Sequence, residues 1–197
     1  MGAQREAESA ATRERILEAA EACFARFGIT KTTLGDVASE AGVARVTVYR
    51  QFADKEALFA GTTARIIRRR WRDIADGVGD RDSLLEWVLA VLKENWRQLQ
   101  DTEFDRMYRD AGAYDEGMAF ALTSEGLDCI IEPMERHVAG RGLRRQLAAG
   151  VEPEDLAEWM HWASFMIASH RSQRLKTEED WVRWLRPQLI GLLSRSA

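Results

Sequence analysis

The sequence predicts an all-α fold, and three observations support this. The 197 residues include only three prolines, and long stretches have no cluster of Gly and Pro, which argues against many short strands joined by turns. Apolar residues recur at spacings of three and four, as on one face of a helix. The hydrophobic fraction is 46%, close to the globular average, so a chain of this length can bury a large core.

The first helix is predicted to begin near Thr12, because apolar residues from Ile16 to Phe27 recur at helical spacing. Gly28 follows as its expected stop, since glycine readily adopts the left-handed conformation that ends many helices. Residues 1–11 are small and polar without periodicity, and we predict that they form a flexible arm.

Two short helices are predicted next. Thr33 and Asp36 have the spacing of a capping box, and Gly42 is expected to end the helix that they begin. After a tight turn, the third helix covers Arg45–Phe52, and a fourth begins near Asp54, which can cap it. A longer helix followed by two short ones and a Gly-containing turn indicates a helix-turn-helix unit.

The third helix has two different faces. At 100° per residue, Val48 and Phe52 lie on one side and are expected in the core. The other side is expected to carry an aliphatic, an aromatic and two guanidinium side chains, namely Arg45, Val46, Tyr49 and Arg50. Such a set suits the DNA major groove, where guanidinium groups bind guanine, apolar groups contact thymine methyls and a phenol binds phosphate.

The segment TTLGDVASEAGVARVTVYRQFADKEALF, residues 32–59, resembles the DNA-binding domain of the TetR family of bacterial transcriptional regulators. The resemblance covers about residues 12–60. It implies base contacts at the start of the third helix and phosphate contacts on both flanks. The candidate DNA-contacting residues, including the outward-facing Arg50 and the variable position Gln51, are Thr32, Thr33, Arg45, Val46, Thr47, Tyr49, Arg50, Gln51 and Lys55.

Three positions depart from the family pattern. Ala44 stands where many members have a serine, and this removes a side-chain N-cap worth about 1 kcal/mol. Val46 replaces a small or flexible residue, and Gln51 replaces a histidine or another polar aromatic residue. The last two changes alter what the helix can recognise, so no operator sequence can be transferred from the family.

Residues 12–58 are therefore predicted to form a three-helix helix-turn-helix domain, and residues 59–197 a helical ligand-binding and dimerisation domain. Within the second domain, helices are predicted over residues 81–100, 103–110, 116–138, 153–175 and 178–193. A run of arginines, Arg65 to Arg72, wraps around the fourth helix instead of lining one stripe, so we interpret it as solvated and not as a second phosphate contact.

Aromatic and Met residues in the second domain are compatible with a mostly apolar cavity for a small apolar or aromatic effector. The candidate ligand-binding residues are Trp87, Trp96, Phe104, Met107, Tyr108, Phe120, Trp162 and Met166. Arg109 and His161 lie beside this set and could supply polar contacts. The alternative is that these residues form an ordinary core.

The last two helices carry more apolar surface than one core can absorb, which predicts a partner, and the resemblance implies a two-fold homodimer on a palindromic operator. The candidate interface residues are Trp159, Ala163, Ile167, Trp181, Trp184, Leu185, Leu189 and Leu192. For Trp181 and Trp184, packing within one chain is the alternative.

The formal net charge of −4 does not exclude DNA, because residues 26–55 carry five cations against three acids. Cys23 and Cys129 are far apart and no metal-ligand or catalytic motif is present, so we expect no disulfide, metal, cofactor or enzymatic activity. No segment is apolar enough to span a membrane. We therefore expect a cytoplasmic homodimeric repressor of bacterial origin, released from DNA by an effector. The alternative is an effector-free or protein-controlled regulator, or an activator, of the same fold.

Overall fold

A computed structural model describes residues 2–100, 122–138, 142–169 and 175–193, which are helical with no strand beyond two isolated β-bridges. The predicted all-α class is thereby confirmed. The helix predicted over residues 103–110 lies outside the described ranges. The helices within them are α1 (Gly2–Phe27), α2 (Leu34–Glu40), α3 (Arg45–Gln51), α4 (Lys55–Val78), α5 (Leu84–Gln100), α6 (Ser124–His137), α7 (Leu143–Gln146), α8 (Pro153–Ser169) and α9 (Glu178–Leu192).

The described residues divide into two compact units, with the division after Ile66. The first unit contains α1, α2, α3 and the start of α4, and the second contains the rest of α4 and α5 to α9. The boundary predicted after residue 58 also falls within α4, about two turns earlier.

Helix α1 begins at Gly2, so the arm predicted for residues 1–11 is helical from its second residue onward. Gly2 and residues 4–11 are exposed, and the segment has no apolar periodicity from which a helix could be predicted. Ala, Glu, Gln and Arg dominate the segment, however, and all four have high helix propensity. The predicted end of the helix agrees with the structure, since α1 stops at Phe27 and Gly28 has a φ of +78°.

The core of the first unit is formed by apolar side chains of α1 to α4, among them Phe24, Val37, Val48, Phe52 and Leu58. The predicted capping box is present: Thr33 N–H donates to Asp36 Oδ2 at 2.8 Å, and Asp36 N–H donates to Thr33 Oγ1 at 3.2 Å. The start of α4 is also capped as predicted, because Ala57 N–H donates to Asp54 Oδ1 at 2.7 Å.

Three arginines of α4 have protein partners, namely Arg65, Arg68 and Arg70. Arg65 contacts Glu14 at 2.6 Å and Glu21 at 2.5 Å, both on α1. In the second unit, Arg68 pairs with Glu125 of α6, and Arg70 donates to the side chain and backbone of Asn95 on α5. These contacts explain part of the basic run as internal ion pairs and hydrogen bonds.

In the second unit, α5 packs against α6, α8 and α9. Trp87, Val88 and Val91 of α5 are fully buried there, which fits a helix that is apolar around most of its circumference. Helix α9 begins with a second capping box, formed by Thr177 and Asp180 with the same spacing as the box of α2.

His137 of α6 contacts both the last part of α4 and the residues that follow α4. His137 Nε2 lies 2.9 Å from Asp76 Oδ1, and its Nδ1 lies 3.0 Å from Asp80 Oδ1.

Cys23 and Cys129 are both buried free thiols. Across the described ranges, no helix combines the length and apolarity needed to cross a membrane, and no group of three or more His, Cys, Asp or Glu side chains could hold a metal ion.

Candidate nucleic-acid interface

Helices α2 and α3 are joined by a turn over residues 41–44. Gly42 has a φ of +62°, in the left-handed region that favours glycine, and Val43 N–H donates to Ala38 O at 3.0 Å. Val48 of α3 and Phe52 just after it are buried, as predicted, and they fix which face of α3 points outward. The turn and the buried pair together produce the predicted helix-turn-helix geometry.

The outward face of α3 carries two large apolar side chains. Val46 is 73% exposed and Tyr49 is 49% exposed, and Arg45 and Arg50 beside them are also exposed. Thr47 is half-buried. An exposed aliphatic group flanked by a phenol and two guanidinium groups has the mixture of contacts that base edges and phosphates require.

The Arg45 side chain lies over the start of α2. A Cβ atom built on Gly35 would be 3.5 Å from both the Arg45 guanidinium carbon and Thr33 Oγ1. The Thr33 hydroxyl and N–H, which donate to Asp36, hold the pKa of that carboxyl below its ordinary value, and the Arg45 charge adds to the effect. The structure therefore brings together two of the predicted DNA contacts, Arg45 and Thr33, at one edge of the helix pair.

Thr32 is predicted to contact a phosphate, but its side chain turns inward in this conformation. Thr32 is 2% exposed, and its hydroxyl lies 2.9 Å from Gly28 O and 3.2 Å from Cys23 O. Its N–H donates to Gly28 O as well, so both donors serve the end of α1. Thr33 is exposed, although its hydroxyl already donates to Asp36 at 2.7 Å.

Two further predicted contacts are half-buried and have protein partners. Gln51 Nε2 donates to Ser9 Oγ of α1 at 3.0 Å, so its amide faces α1 and not the outward face of α3. Lys55 Nζ donates to Thr30 O at 2.9 Å, which leaves two of its three N–H groups for a phosphate. The role predicted for Gln51 in base recognition is therefore not supported by its orientation, whereas Lys55 stays a prediction.

Sequence reasoning missed the contribution of α1 to this region. Arg13 donates to Gln51 O at 2.8 Å, and its guanidinium carbon lies 4.1 Å from the centre of the Phe52 ring. Arg13 and Gln51 are 38 positions apart, so no local sequence pattern predicts this contact. The early start of α1 was the missing information, because it places Ser9 on a helix that reaches the end of α3.

The predicted ligand-binding residues are distributed through the second unit or lie outside the described part. Trp87 is fully buried, Trp96 and Met166 are half-buried, and Trp162 is 42% exposed with its Nε1 donating to Glu158 Oε1 at 3.3 Å. Trp96 and Trp181 line a crevice of about 10 Å³, room for about one water molecule. Outside the described ranges are Phe104, Met107, Tyr108, Phe120 and Arg109.

Half of the predicted dimer interface is already buried within the chain. The residues that have almost no surface left for a partner are Ala163, Trp181, Leu185 and Leu189. Apolar spacing predicted their burial correctly, but α5 packs against α8 and α9, which explains it within one chain. Trp184 is 37% exposed, Trp159 and Leu192 are half-buried, and the side chain of Ile167 lies outside the described set.

Residues 16–67 match the family model described as bacterial regulatory proteins, tetR family. An uncharacterized HTH-type transcriptional regulator of Mycobacterium bovis is 35% identical over 77 residues, which cover 39% of this chain and 41% of that protein. The chain thus spans about two fifths of the length of that relative. An HTH-type transcriptional repressor of Mycobacterium tuberculosis is 28% identical over 174 residues, covering 75% of this chain and 88% of the repressor.

The fold also resembles solved structures over most of its length. A TetR-family transcriptional regulator from Pectobacterium atrosepticum aligns with a TM-score of 0.64 at 23% identity, covering 97% of this chain and 98% of that one. At this identity the likeness concerns the fold, and it supports the order of an N-terminal helix-turn-helix followed by a larger helical part.

Proposed function

Since this chain belongs to the TetR family of transcriptional regulators, we propose that it is a homodimeric repressor that binds a palindromic DNA operator and is released by a small, mostly apolar effector. The observation that carries the DNA-binding part is the outward face of α3, on which Val46 is 73% exposed. Water solvates an isolated valine poorly, whereas a thymine methyl in the major groove provides an apolar contact for it.

The residues around Val46 divide by the part of DNA that they would contact. Arg45 and Thr47 lie at the start of α3, where base edges are reached in helix-turn-helix complexes, and Arg50 lies one turn further along. Tyr49, Lys55 and Thr33 are the candidates for phosphate contacts, which set the position of the protein without selecting sequence. Lys55 also stands at the start of α4, where the helix dipole favours an anion.

The dimer is proposed from the apolar residues that the chain leaves exposed on α8 and α9. Trp162, Trp184 and Ile190 are 42%, 37% and 44% exposed, and exposed aromatic residues are enriched at protein interfaces. A two-fold dimer would place two α3 helices about 34 Å apart, one turn of DNA, as a palindromic site requires. Sedimentation showing only monomer at micromolar concentration would contradict this part.

The effector is proposed from the interior of the second unit. Trp87 Nε1 is buried and has no hydrogen-bond acceptor among the described residues, and a buried polar group in this state is rare unless water or a ligand supplies the partner. The effector is therefore proposed to be mostly apolar and to carry one acceptor oxygen for this N–H. Repression by effector release also requires that the effector bind the non-DNA-binding conformation more tightly.

The experiment that tests the proposal is selection of bound duplexes from a random library by the purified chain. We expect a palindromic sequence to be enriched, and its affinity to fall steeply as the salt concentration rises, because phosphate contacts release counterions. Apolar and aromatic compounds are then screened for release of that duplex and for quenching of tryptophan fluorescence. Enrichment of no sequence, or binding that is insensitive to salt, would contradict the proposed function.

A further inference from the structure

We propose that Arg13 and Ser9 of α1 are positioning residues that hold the C-terminal end of α3 in its DNA-contacting orientation. The inference rests on the proposed function, in which α3 contacts base edges. The contacts that support it all lie within the first unit, between the early turns of α1 and the last residues of α3.

Two hydrogen bonds and one ring contact form this junction. Arg13 Nη1 donates to Gln51 O at 2.8 Å, and the same guanidinium group lies over the Phe52 ring at 4.1 Å from its centre. Gln51 Nε2 donates to Ser9 Oγ at 3.0 Å. The backbone and the side chain of Gln51 are therefore both held by α1.

Helix α3 needs such support because it is short and weakly capped. It has seven residues, well below the length at which an isolated helix is stable in water. Its N-cap residue, Ala44, makes no side-chain hydrogen bond, so the first turn has no side-chain cap. The Gln51 carbonyl is one of the final four, which lack partners within a helix, and the Arg13 hydrogen bond satisfies it.

The Arg13 guanidinium group also lies close to α4. A Cβ atom built on Gly61 of α4 would lie 3.6 Å from Arg13 Nη2 and 3.1 Å from the Phe52 ring. Phe52 is itself buried, so Arg13 packs against a fixed ring and not against a mobile side chain. Tyr49 and Arg50 immediately precede Gln51. Their proposed contacts with DNA require the side chains to be placed within about 0.5 Å.

A direct phosphate contact by Arg13 is the competing explanation, because its side chain is exposed. The two roles differ in salt dependence. Loss of a phosphate contact makes the plot of log affinity against log salt shallower by about 0.9, whereas loss of a positioning contact leaves its slope unchanged.

The test compares Arg13→Gln, Ser9→Ala and the control Arg15→Gln in the full-length chain. Arg15 is exposed on the same helix, so its replacement removes the same charge. Amide hydrogen exchange is measured in the free protein. Binding to the selected duplex and to an unrelated duplex is measured at several salt concentrations, at a temperature where circular dichroism shows every variant folded.

We expect Arg13→Gln to accelerate exchange at the Phe52 amide and in the last turn of α3, and to weaken binding to the selected duplex by about tenfold with an unchanged salt slope. Ser9→Ala should act in the same direction and more weakly, and Arg15→Gln should leave α3 exchange as in the wild type. Unchanged exchange in both Arg13→Gln and Ser9→Ala, or a shallower salt slope for Arg13→Gln, would overturn the proposal. If the wild-type chain selects no duplex, the proposed function fails, while exchange still shows whether Arg13 orders α3.

Discussion

A Cβ atom built on Gly61 would lie 3.1 Å from Phe52 Cε1, so α4 passes the Phe52 ring without room for a side chain. The same atom would lie 3.1 Å from Leu17 Cδ2. Both neighbours are buried, and neither can move aside without disturbing the core of the first unit.

We therefore expect Gly61→Ala to destabilise the chain. Overpacking a core costs about 1–3 kcal/mol, and the higher helix propensity of alanine offsets at most about 1 kcal/mol of this. The midpoint of urea unfolding should fall accordingly. Gly77→Ala on the same helix is the matched control, because nothing lies within 4 Å of its Cβ position. A higher midpoint for both variants would mean that Phe52 and Leu17 can move aside.

The parts of the fold that were predicted correctly depend on local signals. Gly28, Gly42 and Asp54 end or begin helices through their own backbone conformation or side-chain hydrogen bond, and Thr33 with Asp36 acts over three residues. The inward face of α3 follows from the spacing of its apolar residues in the same way. Such features can be read from the sequence because each involves residues a few positions apart.

Sequence spacing is ambiguous where a side chain can meet more than one surface. The spacing of Trp181, Leu185 and Leu189 indicates a buried stripe, but it cannot show whether the partner is α5 of the same chain or a second copy. Thr32 has the same difficulty, since its hydroxyl turns inward to carbonyl oxygens instead of outward to a phosphate. Long-range packing decides both cases.

Acid should weaken the start of α2 through Asp36. The Thr33 hydroxyl and N–H, with a contribution from Arg45, keep the pKa of Asp36 in the folded chain below its ordinary value of 3.8. The resulting stabilisation is fully present above that ordinary value and is lost as the pH falls through the lower, folded pKa. Asp36→Asn should therefore show a weaker loss of thermal midpoint on acidification.

Asp73→Asn provides the control for this measurement, because Asp73 is exposed on α4. Thermal midpoints are recorded by circular dichroism from about pH 6 down to about pH 2, the interval in which carboxylates become protonated. Parallel acid curves for Asp36→Asn and the wild type would contradict a role for the Asp36 charge.

His161 of α8 should make the second unit sensitive to mildly acidic pH. Burial lowers the pKa of its imidazole from 6.5 to about 4. Between these two pH values the imidazole is mostly neutral in the folded chain and mostly protonated in the unfolded chain. Stability is full above pH 6.5 and is lost as the pH falls toward 4, by up to about 1.4 kcal/mol per pH unit. Urea unfolding of His161→Gln should depend less on pH across this interval. An identical dependence for variant and wild type would argue against a buried neutral imidazole.

Arg45 and Tyr49 should affect DNA binding in different ways. Tyr49→Phe removes only a hydroxyl, and if that group binds phosphate, affinity should fall by about 1 kcal/mol on every duplex. Arg45→Ala should also reduce discrimination between the selected duplex and single-base variants, by about 1–3 kcal/mol at the base that Arg45 contacts. Fluorescence anisotropy with the selected duplex and a series of single-base variants measures both effects.

The position of Arg45 over Gly35 makes a stability control necessary for this comparison. Its charge lies near Asp36, so Arg45→Ala also removes an attraction within the capping box of α2. Urea unfolding at neutral pH measures that loss of stability in the absence of DNA. A lost base contact is measured separately, because it weakens binding to a different extent on different duplexes. Equal weakening by Arg45→Ala on all duplexes would assign Arg45 to phosphate binding or to support of α2, and base selection would then depend on Val46, Thr47 and Arg50.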